Sequence, residues 1–224
     1  MPSLPTNKTL TIDIVSDVSC PWCIIGYKAL EKALSNLAPS IQASITWQPF
    51  ELNPQMPQEG QEITEHITQK YGISPEQAAQ NREAIVQRGL SVGYEFGERR
   101  GGGMIYNTFN AHRLLHWAEE LGRDKQMALK LALFDLYFKE NGNPSDAEQL
   151  LSVVEKVGLD VAEAQAILES DKYTADVRKQ QQHYQSAGIS SVPAVIVNNK
   201  HLISGGQPTE IFEKALKQIA EEVV

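Results

Sequence analysis

The chain has 224 residues, 42% of them apolar and 21% charged, and a net charge of −8. That length can bury a sizeable core, and the balance of residues describes a globular protein rather than a disordered or membrane-spanning one. The acidic excess argues against nucleic acid as the main partner, because phosphate binding needs a basic face.

Residues 1 to 8 lack the apolar run of a secretory signal. No stretch approaches the roughly 18 apolar residues of a membrane helix, so the expected location is cytoplasmic. Leu10, Ile12 and Ile14 then alternate along one face, the period of a strand, and Val15 extends the apolar character toward a buried sheet.

Cys20-Pro21-Trp22-Cys23 follows where the strand gives way to a helical pattern, and it holds the only 2 cysteines of the chain. A Cys at a helix start has its thiolate stabilised by unpaired backbone N–H groups and the helix dipole, which makes Cys20 the expected nucleophile. Cys23, one turn in, is shielded and suits the resolving role. Pro21 fits the first turn, where a missing N–H costs nothing. The rival reading, half of a structural zinc site, lacks a second Cys pair, and none of the 5 histidines falls at knuckle spacing. In the cytosol thiols stay reduced, so a catalytic pair is favoured over a structural staple.

Tyr27, Leu30, Leu34 and Leu37 share one helical face, and Pro39 ends that helix. Ala43, Ile45 and Trp47 alternate again before Pro49 interrupts and Asn53-Pro54 opens a loop, so strand, helix and strand make a βαβ unit. Beyond Pro54 the period is helical: helices are expected over 61–71, 76–92, 107–121, 124–140, 146–157 and 160–169, with no strand among them. This reads as an inserted all-helical subdomain. Gly101-Gly102-Gly103 follows no strand and precedes no Lys-Ser/Thr, so a flexible loop near the active site is expected rather than a phosphate loop. A helix over 171–187 ends at Gly188, and Pro193 to Val197 restores the strand period. Asn198-Asn199 makes a turn, and His201-Leu202-Ile203 pairs back as a hairpin. Pro208 opens a last helix with Ile211, Phe212, Leu216 and Ile219 facing inward, and Glu221-Glu222 should be solvated.

A βαβ unit with Cys-x-x-Cys after its first strand, then a hairpin preceded by an apolar-Pro step and a closing helix, is the thioredoxin arrangement. With a helical insert the chain resembles the DsbA-like thiol–disulfide oxidoreductases over nearly its whole length. Cys20-Pro21-Trp22-Cys23, the segment from Trp47 to Pro54, the segment from Asn107 to Leu114, and Gly205-Gly206-Gln207-Pro208 look like the FrnE-like branch, usually made without export. The resemblance implies an α/β thioredoxin-like fold, a thioredoxin-like domain over 8–53 and 171–224, and an inserted helical subdomain over 54–170. It also implies a cis Val192-Pro193 bond packed against the dithiol, with Val192, Pro193 and Trp22 binding substrate, and it makes Asp17, Asn107 and His112 candidates to line the site. The sequence departs from the family in two ways. Trp22 stands where exported oxidants carry His, so Cys20 should be a less extreme thiolate, nearer a pKa of about 7 than about 3.5, and its disulfide less oxidising. Ile14 stands where relatives carry a buried acid; Asp17 is the nearest acid, suited to proton transfer from Cys23 or to a turn before the helix.

His112 and His116 share a helix face at spacing i, i+4 and could bind metal, but packing or a hydrogen-bonded pair is the favoured state and no metal is expected. The function expected is cytosolic thiol–disulfide oxidoreductase or isomerase, with Cys20 attacking and Cys23 resolving. No cofactor is implied beyond the redox-active disulfide, and glutathione is a candidate redox partner. Partners are protein or small-molecule thiols and disulfides, without nucleic acid or membrane, and the chain is a monomer or homodimer. The alternatives are a glutathione-dependent isomerase or transferase of the kappa-class type, which usually places Ser where Cys20 stands, and a non-enzymatic thiolate metal-binding or interaction module.

Overall fold

The computed structural model describes residues 8–98 and 102–222. Strand β1 (Lys8–Ser16) runs parallel to β2 (Ile41–Pro49) from Lys8 opposite Ile41 to Ser16 opposite Pro49, and helix α1 (Pro21–Leu37) forms the crossover. The βαβ unit is thus as read, with α1 ending one residue before the cis Ala38-Pro39 step. The chain continues through β3 (Gln61–Glu62), α2 (Ile63–Tyr71), α3 (Pro75–Ser91), β4 (Met104–Ile105), α4 (Phe109–Leu121), α5 (Arg123–Phe138), α6 (Ala147–Lys156), α7 (Val161–Leu168) and α8 (Thr174–Ser186). It closes with β5 (Ala194–Val197), β6 (His201–Ser204) and α9 (Thr209–Glu222).

The main sheet has the order β2-β1-β5-β6, with β5 antiparallel to both β1 and β6. Leu10, Ile12 and Ile14 are buried on one of its faces with Ala29, Leu30 and Ala33 of α1 and Phe212 and Leu216 of α9. Val15 points to the opposite face, against Phe50, Ile189 and Ala194. Asn198 and Asn199 carry φ of 53° and 54°, a left-handed pair that Asn tolerates and that matches the twist of a tight hairpin between β5 and β6.

Among the described residues β2 is an edge strand, and one side of its backbone has no strand partner there. Gln126 of α5 supplies one: its side-chain carbonyl accepts from the Trp47 N–H at 2.8 Å and its amide donates to the Trp47 carbonyl at 2.9 Å. A buried amide thereby substitutes for one residue of a neighbouring strand, and it holds α5 against the sheet.

Helices occupy the region between Pro54 and α8 as expected, with ends within three residues of those read from periodicity. The expectation of an entirely helical segment is corrected at one place. β3 and β4 pair antiparallel, Gln61 with Ile105 and Glu62 with Met104. Two residues per strand are too few to show a period of 2, and the pairing joins segments far apart in sequence. The ladder moves the start of α2 from residue 61 to Ile63, where the Glu62 carboxylate accepts from the Glu65 N–H at 2.8 Å. Gly101 lies outside the described residues, and Gly103 leads directly into β4, its carbonyl accepting from the Ile63 N–H at 2.8 Å.

A second apolar cluster fills the helical region, with Leu114, Trp117, Leu129, Leu133, Leu150 and Ile167 among its buried members. Buried Arg113 ties α4 to the end of α7 by donating to the carbonyls of Ile167, Ser170 and Lys172. Helix α5 faces both clusters: Leu129 and Leu133 belong to the helical one, while Phe134, Tyr137 and Phe138 belong to the core under the sheet.

Candidate active site

Strand β1 ends at Ser16, and a short turn through Asp17, Val18 and Ser19 delivers Cys20 to the N-cap of α1, with Pro21 in the first turn. The Cys20 N–H donates to the Asp17 carbonyl at 3.2 Å, and the Cys23 N–H donates to the Cys20 carbonyl at 3.1 Å. Both thiols are free, and Cys20 is 3% exposed against 0% for Cys23, so Cys20 is the sulfur nearer the surface. Trp22 between them is 39% exposed.

The Val192-Pro193 bond is cis, as the resemblance implied, and the Val192 carbonyl lies 3.7 Å from Cys20 Sγ. Close backbone approaches hold this loop. A Cβ on Gly26 of α1 would stand 3.1 Å from Gly206 Cα and 3.2 Å from Pro193 Cγ, and one on Gly206 would stand 3.0 Å from the Trp22 carbonyl. Gly206 and the Pro193 loop therefore lie this close to the start of α1 because neither Gly26 nor Gly206 has a side chain.

Asp17 is buried beneath the dithiol. Its carboxylate accepts from the Leu52 N–H at 2.7 Å and the Ser19 N–H at 3.3 Å, and His112 Nε2 lies 3.5 Å from it. The turn-forming role expected of Asp17 is thus present. Burial alone would push the carboxyl up, but the His112 imidazole and the Leu52 N–H outweigh it and hold the acid below the usual carboxylate range. The segment from Trp47 to Pro54 contributes here through the Leu52 N–H and through the Trp47 ring, which packs on Tyr27 and Phe134.

The two thiols sit close enough at the start of α1 to act on each other's ionisation. Sharing with Cys23 pushes the Cys20 thiol well up, and burial and the Asp17 carboxylate act in the same direction. Burial also penalises a Cys23 thiolate, but the Cys20 thiol, the Ser16 hydroxyl, the positive charge of Lys130 and the Asp17 backbone outweigh it and bring Cys23 down. The helix N-terminus, the influence legible in the sequence, favours a Cys20 thiolate, while Ser16 and the charge of Lys130, which comes from a remote segment, act on Cys23.

Lys130 is the group that sequence reasoning missed. It is fully buried, and its ammonium has no hydrogen-bond partner among the described residues, only the faces of Trp47 at 5.1 Å and Phe134 at 4.9 Å from the ring centres. Burial depresses it to about 8, against the opposing pull of Cys23, Asp17 and Cys20. A signal existed: Gln126, Lys130 and Phe134 lie four apart on the stripe that also carries Leu129 and Leu133, so Lys130 falls on the buried face of α5.

The other sequence candidates fall into different surroundings. His112 lies against Asp17, whereas His116 meets Gln180 at 3.2 Å and packs on Tyr173, and both border one small cavity with Glu119 and Lys130. Among the described residues no three His, Cys, Asp or Glu side chains are grouped to hold a metal ion. Asn107 donates to the Met56 carbonyl at 3.0 Å and accepts from the Phe109 N–H at 2.9 Å, which ties down the entry to α4.

A family model described as DSBA-like thioredoxin domain matches residues 11–217. Among solved structures, a probable DsbA oxidoreductase from Streptomyces coelicolor is 30% identical, covers 96% of this chain and 92% of its own, and superposes with a TM-score of 0.87. A 2-hydroxychromene-2-carboxylate isomerase, 15% identical, covers 95% and 97% with a TM-score of 0.71. The cytosolic disulfide reductase DsbM of Pseudomonas aeruginosa, solved with GSH, is 15% identical and covers 94% and 99% with a TM-score of 0.60. At that identity the last two share the fold.

Proposed function

This chain belongs to the DSBA-like thioredoxin domain family, and on that premise we propose that it is a cytoplasmic thiol–disulfide oxidoreductase or isomerase whose working pair is Cys20 and Cys23. The observation that carries the reading is the free dithiol at the start of α1, with Cys20 Sγ 3.7 Å from the Val192 carbonyl. An extended substrate segment laid beside Val192 would bring its sulfur to Cys20 rather than to Cys23, which is enclosed.

The chemistry is two exchanges. The Cys20 sulfur attacks a substrate disulfide while its proton passes to Cys23; one substrate sulfur leaves with the electron pair of the broken bond. The Cys23 sulfur then attacks Cys20 Sγ, the second substrate sulfur leaves as a thiolate, and a Cys20–Cys23 disulfide remains. Two electrons have moved to the substrate. In the reverse sense the same steps oxidise a dithiol. Glutathione as recycling partner is supported by the GSH in the DsbM structure, and the cytoplasmic assignment by that protein's description as cytosolic. No helix among the described residues is long and apolar enough to cross a membrane.

Trapping tests the roles. Cys23→Ser should accumulate mixed disulfides on Cys20, and alkylation of the reduced wild type should label Cys20 first because Cys23 is enclosed. Equal labelling, or no trapped species, counts against the reading. The direction of flow is read from the reduction potential: a value near that of thioredoxin, about −270 mV, fits reductase or isomerase duty, and one near about −120 mV an oxidant. A second reading, a glutathione-dependent isomerase, is favoured by the fold shared with the 2-hydroxychromene-2-carboxylate isomerase. Such an enzyme would keep its activity in Cys23→Ser, and the oxidoreductase would lose turnover.

A further inference from the structure

Resting on the oxidoreductase reading, we propose that the cavity between segment 50–54 and α8 is a subsite for an acidic side chain of a polypeptide substrate, with Arg178 receiving its carboxylate. The cavity has about 160 Å³ of room, several times the roughly 30 Å³ that one water takes in the liquid, so it admits a side chain. Glu51 and Pro54 form one wall. Arg178, Gln181, Gln182 and Gln185 form the other, at the i, i+3, i+4 and i+7 spacing of a single face of α8.

Arg178 is the one cation in this lining, and two contacts fix its orientation. Its guanidinium lies 3.7 Å from the centre of the Phe109 ring, and its Nη1 donates to the Glu51 carboxylate and, at 2.8 Å, to the Gln181 side-chain carbonyl. The Gln181 amide donates to the same Glu51 oxygen at 3.0 Å. Glu51 is buried and its other oxygen has no hydrogen-bond partner among the described residues, so its charge depends on Arg178. This tie uses a single nitrogen of the guanidinium. Nε and Nη2 donate to no described residue, and the Arg178 side chain is 47% exposed. A planar fork with unused donors suits a carboxylate, and the amides of Gln182 and Gln185 stand beside it. With Glu51 already at its edge, the guanidinium suits a singly charged carboxylate better than a doubly charged phosphate.

The cavity adjoins the dithiol. Leu52, between its two wall residues Glu51 and Pro54, donates its N–H to the Asp17 carboxylate at 2.7 Å, and the Asp17 carbonyl accepts from the Cys20 N–H at 3.2 Å. Leu52, Val192 and Tyr184 of α8 pack on one cluster. An extended chain advances about 3.3 Å per residue, so a substrate whose cysteine meets Cys20 beside Val192 carries a residue only a few positions away to the cavity.

Capped peptides with one cysteine blocked as its thionitrobenzoate mixed disulfide test this. The Cys20 thiolate attacks the peptide sulfur, a bond from Cys20 to the peptide forms, and thionitrobenzoate leaves with the electron pair of the broken bond, so its absorbance reports the rate. In otherwise neutral peptides a Glu is moved stepwise away from the cysteine on either side, and each peptide is compared with its Gln isostere. In the wild type Glu should react faster than Gln by about 10-fold, the scale of one hydrogen bond to a charged group, at one position or two adjacent ones. Arg178→Gln should abolish that preference. Gln182→Glu, which leaves the pair of Arg178 with Glu51 intact and adds a competing charge to the cavity, should reverse it. Because Glu and Gln peptides are compared within each protein, a change in the dithiol itself cancels. A wild type without the preference, a preference spread evenly over all positions, or one that survives either substitution would overturn the assignment to this cavity and leave the dithiol chemistry standing. If Arg178→Gln does not fold, Gln182→Glu decides alone. A wild type that releases no thionitrobenzoate from any peptide would overturn the oxidoreductase reading, and this proposal with it.

Discussion

A lysine on the buried stripe of a helix has a measurable energetic signature. The ordinary value of Lys is 10.5 and burial lowers Lys130 to about 8, so between those values the unfolded chain binds a proton that the folded chain has released. Stability therefore rises with pH across that window, and below it the full burial penalty, roughly 3 kcal/mol before the aromatic contacts offset part of it, is present. Lys130→Met, of similar length and without charge, should be more stable than the wild type at pH 7 by about 1–3 kcal/mol, and the gain should shrink toward pH 10. Urea midpoints of the two reduced proteins at both pH values check this; a variant less stable at pH 7 would show that the ammonium is better accommodated than its lack of partners indicates. Asp17 has the opposite sign. Its acid is held below the usual range, so its contribution is present at neutral pH and disappears as pH falls through the folded value.

Two element contacts hold the site in register, and each rests on one residue. Gly26 lets α1 approach Gly206 and Pro193, so Gly26→Ala should force a shift of a few tenths of an ångström in backbone that cannot swing away. Overpacking of that kind costs about 1–3 kcal/mol. Because the strained atoms adjoin the Pro193 loop, reaction at Cys20 should slow as stability falls. Gln126→Leu would leave the N–H and carbonyl of Trp47 unpaired on the edge strand at a cost of about 2–4 kcal/mol, with faster hydrogen exchange at Trp47. A stability unchanged in either variant would mean that the neighbouring segments close up at no cost. The periods of Leu10-Ile12-Ile14 and Tyr27-Leu30-Leu34-Leu37 made β1 and α1 legible, and with them the place of the dithiol. Lys130 was not legible as a site residue, because what defines it is the meeting of α5 with α1 and β2 across a hundred residues. The β3–β4 ladder escaped for a related reason: it exists only through pairing of Gln61–Glu62 with Met104–Ile105, and two residues carry no period of their own.

At the scale of the whole chain, the switch of period after Pro54 and its return after Gly188 pointed to a helical insert within a thioredoxin-like domain, and that division into 8–53 with 171–224 and 54–170 stands as a proposal about architecture. It does not follow that the parts fold separately. Phe134, Tyr137 and Phe138 of α5 lie in the core under the sheet while Leu129 and Leu133 of the same helix lie in the helical cluster. Gln126 holds that helix to β2, and Asp17 from the sheet side meets His112 from α4. Removing either part would expose one side of α5, so the two clusters should unfold together. Trp47 belongs to the first cluster and Trp117 to the second, and the remaining tryptophan, Trp22, is 39% exposed. Trp47→Phe and Trp117→Phe therefore leave fluorescence reporting chiefly on opposite cores. In urea each variant should give one transition, coincident with its own loss of helical circular dichroism, as a two-state chain requires. A Trp117 signal that melts apart from the Trp47 signal, after correction for the stability change of each substitution, would show instead that the insert has a core sufficient for itself.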